Sequence, residues 1–394
     1  MSTRRETFFA SCPRGLEMVL RAELEELGAQ DVVDLPGGVS FTGPFALCYA
    51  VNLHSRIASR VLWQVFHGPY HDEHDVFRAA QALPWQEWFP VRRTIKVKVS
   101  AQQCPLPSLD FVTLRIKDAI CDRFRMVTTE RPNVATNRAD IRIDAFLTRQ
   151  SMTLYLDTSG EALFKRGLRT AVIEAPVREN LAAGILRLVE WTGQQPLLDP
   201  MCGSGTFLLE AALMAHNIPP GLGRHFAFEK LRNFDAGAWQ ILCETARTKQ
   251  RPQTSCTLYG SDINGAALQA ARTNLRAAGL SDAVALKQAD VLEIVPPARE
   301  GILVTNPPYG IRLSDKAQMA VFYPRLGDSL KRNFTGWTAY LFTADLRLPK
   351  LIGLATSRRT PLFNGSLECR LFEFKLFKGS KRQAKIEESE AART

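Results

Sequence analysis

Residues 306–309 read Asn-Pro-Pro-Tyr, directly after the apolar run Gly301-Ile302-Leu303-Val304-Thr305. Two consecutive prolines each remove an N–H donor, so neither a helix nor a central strand continues through them. The run is therefore predicted to be a strand that stops at Asn306. Its end then presents an amide side chain, a rigid carbonyl and an aromatic ring together. In an open α/β sheet, ligands sit outside the carboxyl ends of the strands. An amide beside a ring suits a planar substrate with an exocyclic amine, a description that fits a nucleobase.

Three upstream segments end in the same way. Leu197-Leu198-Asp199-Pro200-Met201-Cys202-Gly203-Ser204-Gly205-Thr206 reads as a strand entering a glycine turn, followed by a helix over 207–215. Glycines at this spacing let backbone approach a ligand without interference from Cβ. The segment lacks both the P-loop spacing and the third glycine of the dinucleotide fingerprint. Asp199 would be awkward beside a pyrophosphate and suits a ligand with a cationic amino-acid end, such as S-adenosylmethionine. The next strand, 257–261, ends in Asp262. This acid is placed either to accept both ribose hydroxyls or to favour the start of a helix over 266–278. A third strand, 284–287, leads to Asp290, which is either an acceptor for an adenine amine or a surface-loop acid. Residues 216–252 intervene between the first two strands, well beyond the ~20 residues of a minimal unit. This insertion carries Arg224, Phe226, Phe228 and Trp239, suited to substrate contact or to packing on the sheet.

The elements that must position these residues fall into several regions, as expected for 394 residues. A strand over 6–11 and a helix through Leu16, Val19, Leu20, Leu24 and Leu27 open a small α+β unit, 1–55. In the next region, 56–166, Ile95, Val97 and Val99 alternate with Lys96 and Lys98, and Ile141 and Ile143 with Arg142 and Asp144. Such period-2 patterning predicts half-buried strands with a basic polar face. Arg92, Arg93, Lys117, Arg123, Arg125, Arg131 and Arg138 lie nearby in sequence. Beyond Lys165-Arg166-Gly167-Leu168-Arg169, a long helix starts at Glu174-Ala175-Pro176. Strand and helix then alternate to 378, which predicts a doubly wound, mostly parallel sheet. The polar, aromatic-free segment 379–394 reads as a disordered tail.

A net charge of +10 favours a polyanionic partner, RNA or DNA. The eight cysteines form no Cys-x-x-Cys pair, so neither a zinc knuckle nor a disulfide scaffold is expected, and no metal. Free thiols at this density fit a reducing cytoplasm. No apolar run approaches the ~20 residues that span a bilayer. The expectation is a cytosolic protein without a membrane partner, monomeric or weakly dimeric.

Asp199 to Thr206, Asp262, Asp290 and Asn306-Pro307-Pro308-Tyr309-Gly310 resemble the motifs of class I S-adenosylmethionine methyltransferases that modify exocyclic amines. Residues 165–169 and Glu174-Ala175-Pro176-Val177-Arg178-Glu179-Asn180-Leu181-Ala182-Ala183 are similar to the linker and first helix of THUMP-domain RNA methyltransferases. Residues 5–378 as a whole resemble the N-terminal half of the bacterial 23S rRNA (guanine-N2)-methyltransferases, which are often fused to a second methyltransferase. The resemblance implies a Rossmann-like methyltransferase domain preceded by a ferredoxin-like and THUMP RNA-binding region. The substrate implied is 23S rRNA or a precursor large-subunit particle. Asn306, Pro307, Pro308 and Tyr309 would be catalytic. Asp199, Pro200, Cys202, Gly203, Gly205, Thr206, Asp262, Ile263, Asp290, Val291 and Asn306 would bind S-adenosylmethionine. The second methylation of the fused enzymes is not implied. Two alternatives remain: a THUMP-class tRNA guanine-N2 methyltransferase with the same motifs, and a non-catalytic ribosome-assembly factor that kept the fold.

Overall fold

A computed structural model describes residues 5–168, 177–252, 257–308 and 313–377. The first part of the chain runs β1 (Glu6–Ser11), α1 (Glu17–Glu26), β2 (Gln30–Leu35), β3 (Gly38–Gly43), α2 (Leu47–His54), β4 (Arg60–Pro69), α3 (Glu73–Ala82), α4 (Trp85–Trp88), β5 (Ile95–Ala101), α5 (Leu109–Thr128), β6 (Ile141–Leu147) and β7 (Ser151–Asp157). The second runs α6 (Glu179–Leu188), β8 (Leu197–Asp199), α7 (Thr206–Ala215), α8 (Ala236–Thr248), β9 (Leu258–Asp262), α9 (Gly265–Ala277), β10 (Ala285–Gln288), β11 (Gly301–Thr305), α10 (Leu313–Asn333), β12 (Trp337–Thr343), α11 (Leu348–Leu351), β13 (Arg358–Asn364) and β14 (Leu367–Lys375). The described residues of 1–12, 20–163 and 220–248 form one compact unit, and those of 13–19, 164–219 and 249–394 another.

In the first unit, β4 joins two regions that the sequence reading separates at residue 55. Its Arg60–Trp63 stretch pairs with β1, while Leu62–Pro69 pairs with β7. The result is one seven-stranded sheet, ordered β2-β3-β1-β4-β7-β6-β5. β6 shows the predicted alternation, with Ile141, Ile143, Ala145 and Leu147 buried. β2 has no counterpart in the sequence expectation. Five of its six residues are exposed, so it carries no periodicity to read.

Residues 220–248 of the insertion after α7 belong to this first unit. Tyr49 on α2 packs its ring 4.6 Å from that of Phe228 and 6.3 Å from that of Trp239. Its hydroxyl accepts from the Asp235 N–H at 3.0 Å. Leu53 is clustered with Cys243 and Ala246 of α8. Phe226 and Phe228 are therefore buried and Trp239 half-buried, in a ring cluster packed on Tyr49 of α2.

The second unit is the expected doubly wound sheet, ordered β10-β9-β8-β11-β12-β14-β13. β10, β9, β8, β11 and β12 are mutually parallel, and the β14–β13 hairpin closes one edge antiparallel. The strand sequence runs outward from β8 to β10, then returns to β11 on the other side of β8. That reversal opens a crevice at the carboxyl ends of β8 and β11. One face is packed by α10, whose Tyr323, Leu326 and Leu330 meet Phe334, Trp337 and Ile352 in a continuous core. Arg166 and Glu210 form a buried fork, Nε to Oε1 at 3.2 Å and Nη2 to Oε2 at 3.4 Å, tying the segment before α6 to α7. Breaking such a pair on one side strands a buried charge. The helix expected from 174–176 begins later, at Glu179, with Arg178 extended as its N-cap; residues 174–176 and the tail 379–394 lie outside the described residues. Among the described residues no helix is long and apolar enough to cross a membrane.

Candidate active site at the strand ends

β8 delivers Asp199 at its last position, 2% exposed. Its Oδ1 accepts from the Thr305 hydroxyl at 2.7 Å and from the Met201 N–H at 3.3 Å. Burial pushes the carboxyl up to about 7, against the pull of those two hydrogen bonds. Pro200 is buried, and its carbonyl accepts from the Ser261 hydroxyl at 3.3 Å. The turn that follows needs its glycines. Gly203 and Gly205 have φ of +54° and +79°. A Cβ at Gly205 would press on Ala271, whereas one at Gly203 would meet nothing. The Gly203 backbone is thus open to close approach. Gly205 caps α7, which starts at the buried Thr206. The Cys202 thiol is buried and held protonated by that burial, so it packs rather than reacts.

The neighbouring strands bring the acids to this turn. Asp262 Oδ2 accepts from the Gly203 N–H at 2.9 Å, and Oδ1 from the Asn264 N–H at 2.8 Å. Asn264, and not Asp262, supplies the side-chain cap of α9, accepting from Ala266 at 2.9 Å. Ile263 beside it is 67% exposed. Asp290, just past β10, is half-buried and folds a local turn by accepting from Leu292 N–H at 2.9 Å. Val291 is buried. A cavity of about 510 Å³, lined in part by Ser261, Gln288, Asp290 and Ile294, borders this end of the site.

Beyond β11, Asn306 is half-buried and its Oδ1 is buried with no hydrogen-bond partner among the described residues. Orphaned buried acceptors are rare, because losing water without replacement costs on the order of 1–3 kcal/mol. Pro307 is buried and Pro308 exposed. Tyr309, expected to stack on a substrate, lies outside the described residues. An open glycine turn, a buried carboxyl beside it and an orphaned amide oxygen fit a group with a cationic end next to an amine substrate.

Several contributors escape a reading by motif. Thr305 holds Asp199, and Asn274 donates to the Ser204 carbonyl at 3.0 Å from the buried face of α9. The available signal was a polar residue at helical spacing from Ala267 and Ala271. Gly260 is needed for close packing, since a Cβ there would overlap Leu208. The basic residues of the first unit are in part already partnered. Arg142 holds Asp144 through two 2.7 Å hydrogen bonds, Lys96 donates to the Thr136 carbonyl, and Arg125 pairs with Asp122.

Comparison with known proteins places this geometry. Residues 166–373 match the RMKL-like methyltransferase domain, 7–62 the RlmL ferredoxin-like domain and 70–157 the THUMP domain. A Synechocystis protein named "Putative RNA methyltransferase" is 38% identical over 95% of this chain and 98% of its own length. A Shewanella protein named Ribosomal RNA large subunit methyltransferase K/L is 39% identical over 92% of this chain. The match covers 52% of that protein, so this chain spans about half the length of such relatives. A solved structure described as "a putative methyltransferase complexed with SAH" superposes with a TM-score of 0.87 and 29% identity, over 96% of this chain and all of the other.

Proposed function

The chain belongs to the RMKL-like methyltransferase family, in the arrangement that carries RlmL ferredoxin-like and THUMP domains, and on that premise we propose that it methylates the exocyclic N2 of a guanine in large-subunit ribosomal RNA. The donor is S-adenosylmethionine, as the SAH-bound structural relative indicates. Once bound, it supplies a methyl group already activated on a sulfonium, so alignment carries much of the rate. The observation that carries the reading is the buried, unpartnered Asn306 oxygen at the crevice between β8 and β11. A nucleobase amine is a poor nucleophile because its lone pair is delocalised into the ring. Asn306 Oδ1 and the Pro307 carbonyl accept its two hydrogens and favour a more tetrahedral nitrogen. Tyr309 stacks on the flipped base, a contact worth about 1–3 kcal/mol. RNA as substrate is supported by the THUMP match and by the relatives' names. The choice of guanine rests on the family resemblance.

Asp199 and the Gly203–Gly205 turn are assigned to the donor's amino-acid end, Asp262 to its ribose and Asp290 to its adenine amine, flanked by Ile263 and Val291. Asp199 makes this testable by pH. Its carboxyl is raised above the unfolded value, so the folded chain holds the proton up to about 7. Without donor, this carboxyl's own contribution to stability is fully present below the unfolded pKa of ~3.9 and is lost as pH rises through about 7. Donor affinity runs the opposite way, because only the ionised carboxylate attracts an ammonium. Calorimetry between pH 5.5 and 7 should show affinity rising on the order of tenfold, and Asp199→Asn should flatten that rise. A pH-independent affinity in the parent would remove Asp199 from the donor's cationic end.

The substrate is tested by transfer of a radiolabelled methyl group to separated rRNA, tRNA and DNA pools, followed by nucleoside mass analysis. Label is expected in 23S rRNA as N2-methylguanosine. Label in tRNA alone would replace the RNA, and N6-methyladenine in DNA would replace the proposal.

A further inference from the structure

We propose that Tyr323 is a positioning residue for methyl transfer, a buried side chain whose hydroxyl tethers the second proline of the Asn-Pro-Pro-Tyr segment. The inference rests on the catalytic reading of Asn306. The Tyr323 hydroxyl, on α10, donates to the Pro308 carbonyl at 3.1 Å. Tyr323 is fully buried.

The direction of the bond is fixed, because a carbonyl can only accept and Tyr323 carries the one hydrogen between the two. Burial raises Tyr323 to about 12, so the hydroxyl stays protonated and a donor at neutral pH. Proline lacks an N–H, so no ladder hydrogen bond can fix the backbone at 307 and 308 from that side. The Tyr323 hydroxyl holds the backbone by the Pro308 carbonyl instead, beside the packing of the buried Pro307, and Asn306 and the Pro307 carbonyl move with it. Nothing else in the proposed mechanism uses Tyr323, yet a tyrosine hydroxyl is kept in an otherwise apolar core beside Leu326 and Ile352.

The test uses the full chain, with steady-state methyl transfer to the RNA that accepts label and calorimetry for the donor. Tyr323→Phe should lower kcat about ten- to a hundredfold, as expected when reacting groups shift by about an ångström. KM for RNA and donor affinity should stay within about twofold of the parent. The proposal is overturned if Tyr323→Phe keeps the parent kcat, or if the loss lies in KM or donor affinity and not in kcat. An inactive Asn306→Ala beside a fully active Tyr323→Phe would remove the tether and leave the motif reading intact. An active Asn306→Ala would remove both.

Discussion

Asn306→Ala is expected to slow methyl transfer by about 10³-fold, the upper range for losing one preorganised hydrogen-bonding group at a reacting centre. Single-turnover rates with saturating donor and RNA would measure it. Donor affinity should be nearly unchanged, because the donor's ribose and amino-acid end are assigned to Asp262, Asp199 and the glycine turn. Stability should move in the less usual direction. The Asn306 oxygen is buried without a partner among the described residues, and an unsatisfied buried acceptor costs on the order of 1–3 kcal/mol. Removing it should leave Tm unchanged or raised, the signature of a group retained for function at the expense of stability. A variant that turned over normally would end the amine-alignment role. One that lost several degrees of Tm would show that the oxygen has a structural partner.

Gly327→Ala should be the most damaging single methyl group in the second unit. Within an isolated helix the change would stabilise by about 1 kcal/mol. Here α10 lies against the backbone that follows α11, and a Cβ at Gly327 would overlap the Ile352 carbonyl oxygen. Ile352 is fully buried, so that carbonyl cannot swing aside. The expected result is a destabilisation of about 3 kcal/mol, the size of a forced core displacement. Denaturant unfolding reads both size and sign. A stabilised variant would show that α10 and the 348–352 segment are not in close contact. Activity should fall with it, since Tyr323 sits one helical turn before Gly327 on the same face.

Much of the second unit was legible because its elements are short and sharply bounded. The glycine turn after Asp199, the cap at Asn264 and the prolines after Thr305 each stop or start an element by local chemistry. The insertion was misjudged in its destination. Phe226, Phe228 and Trp239 announce a buried cluster, but a cluster does not name its partner, and α2 lies far away in sequence. β2 was invisible because an exposed edge strand is held by backbone pairing with β3, which leaves no side-chain pattern. β4 shows the same limit, because the sharing of one strand between two regions is written in register and not in composition.

The sequence by itself determined the chemistry of the strand ends: three acids, an open glycine turn and an amide beside two prolines. Those are local facts, fixed by which residues can end a strand or adopt a positive φ. Only the tertiary structure decided who stands beside whom. In the chain the order is Asp199, Asp262, Asp290, Asn306, but in the sheet it is Asp290, Asp262, Asp199, Asn306. The last strand of the four crosses back to pair with the first through residues 289–300, because a parallel neighbour is reached only by a crossover connection and its place is not set by turn in the sequence. That return sets the buried carboxyl of Asp199 against Thr305, the residue just before Asn306, and so brings the assigned donor site and the amine-binding amide to the same crevice.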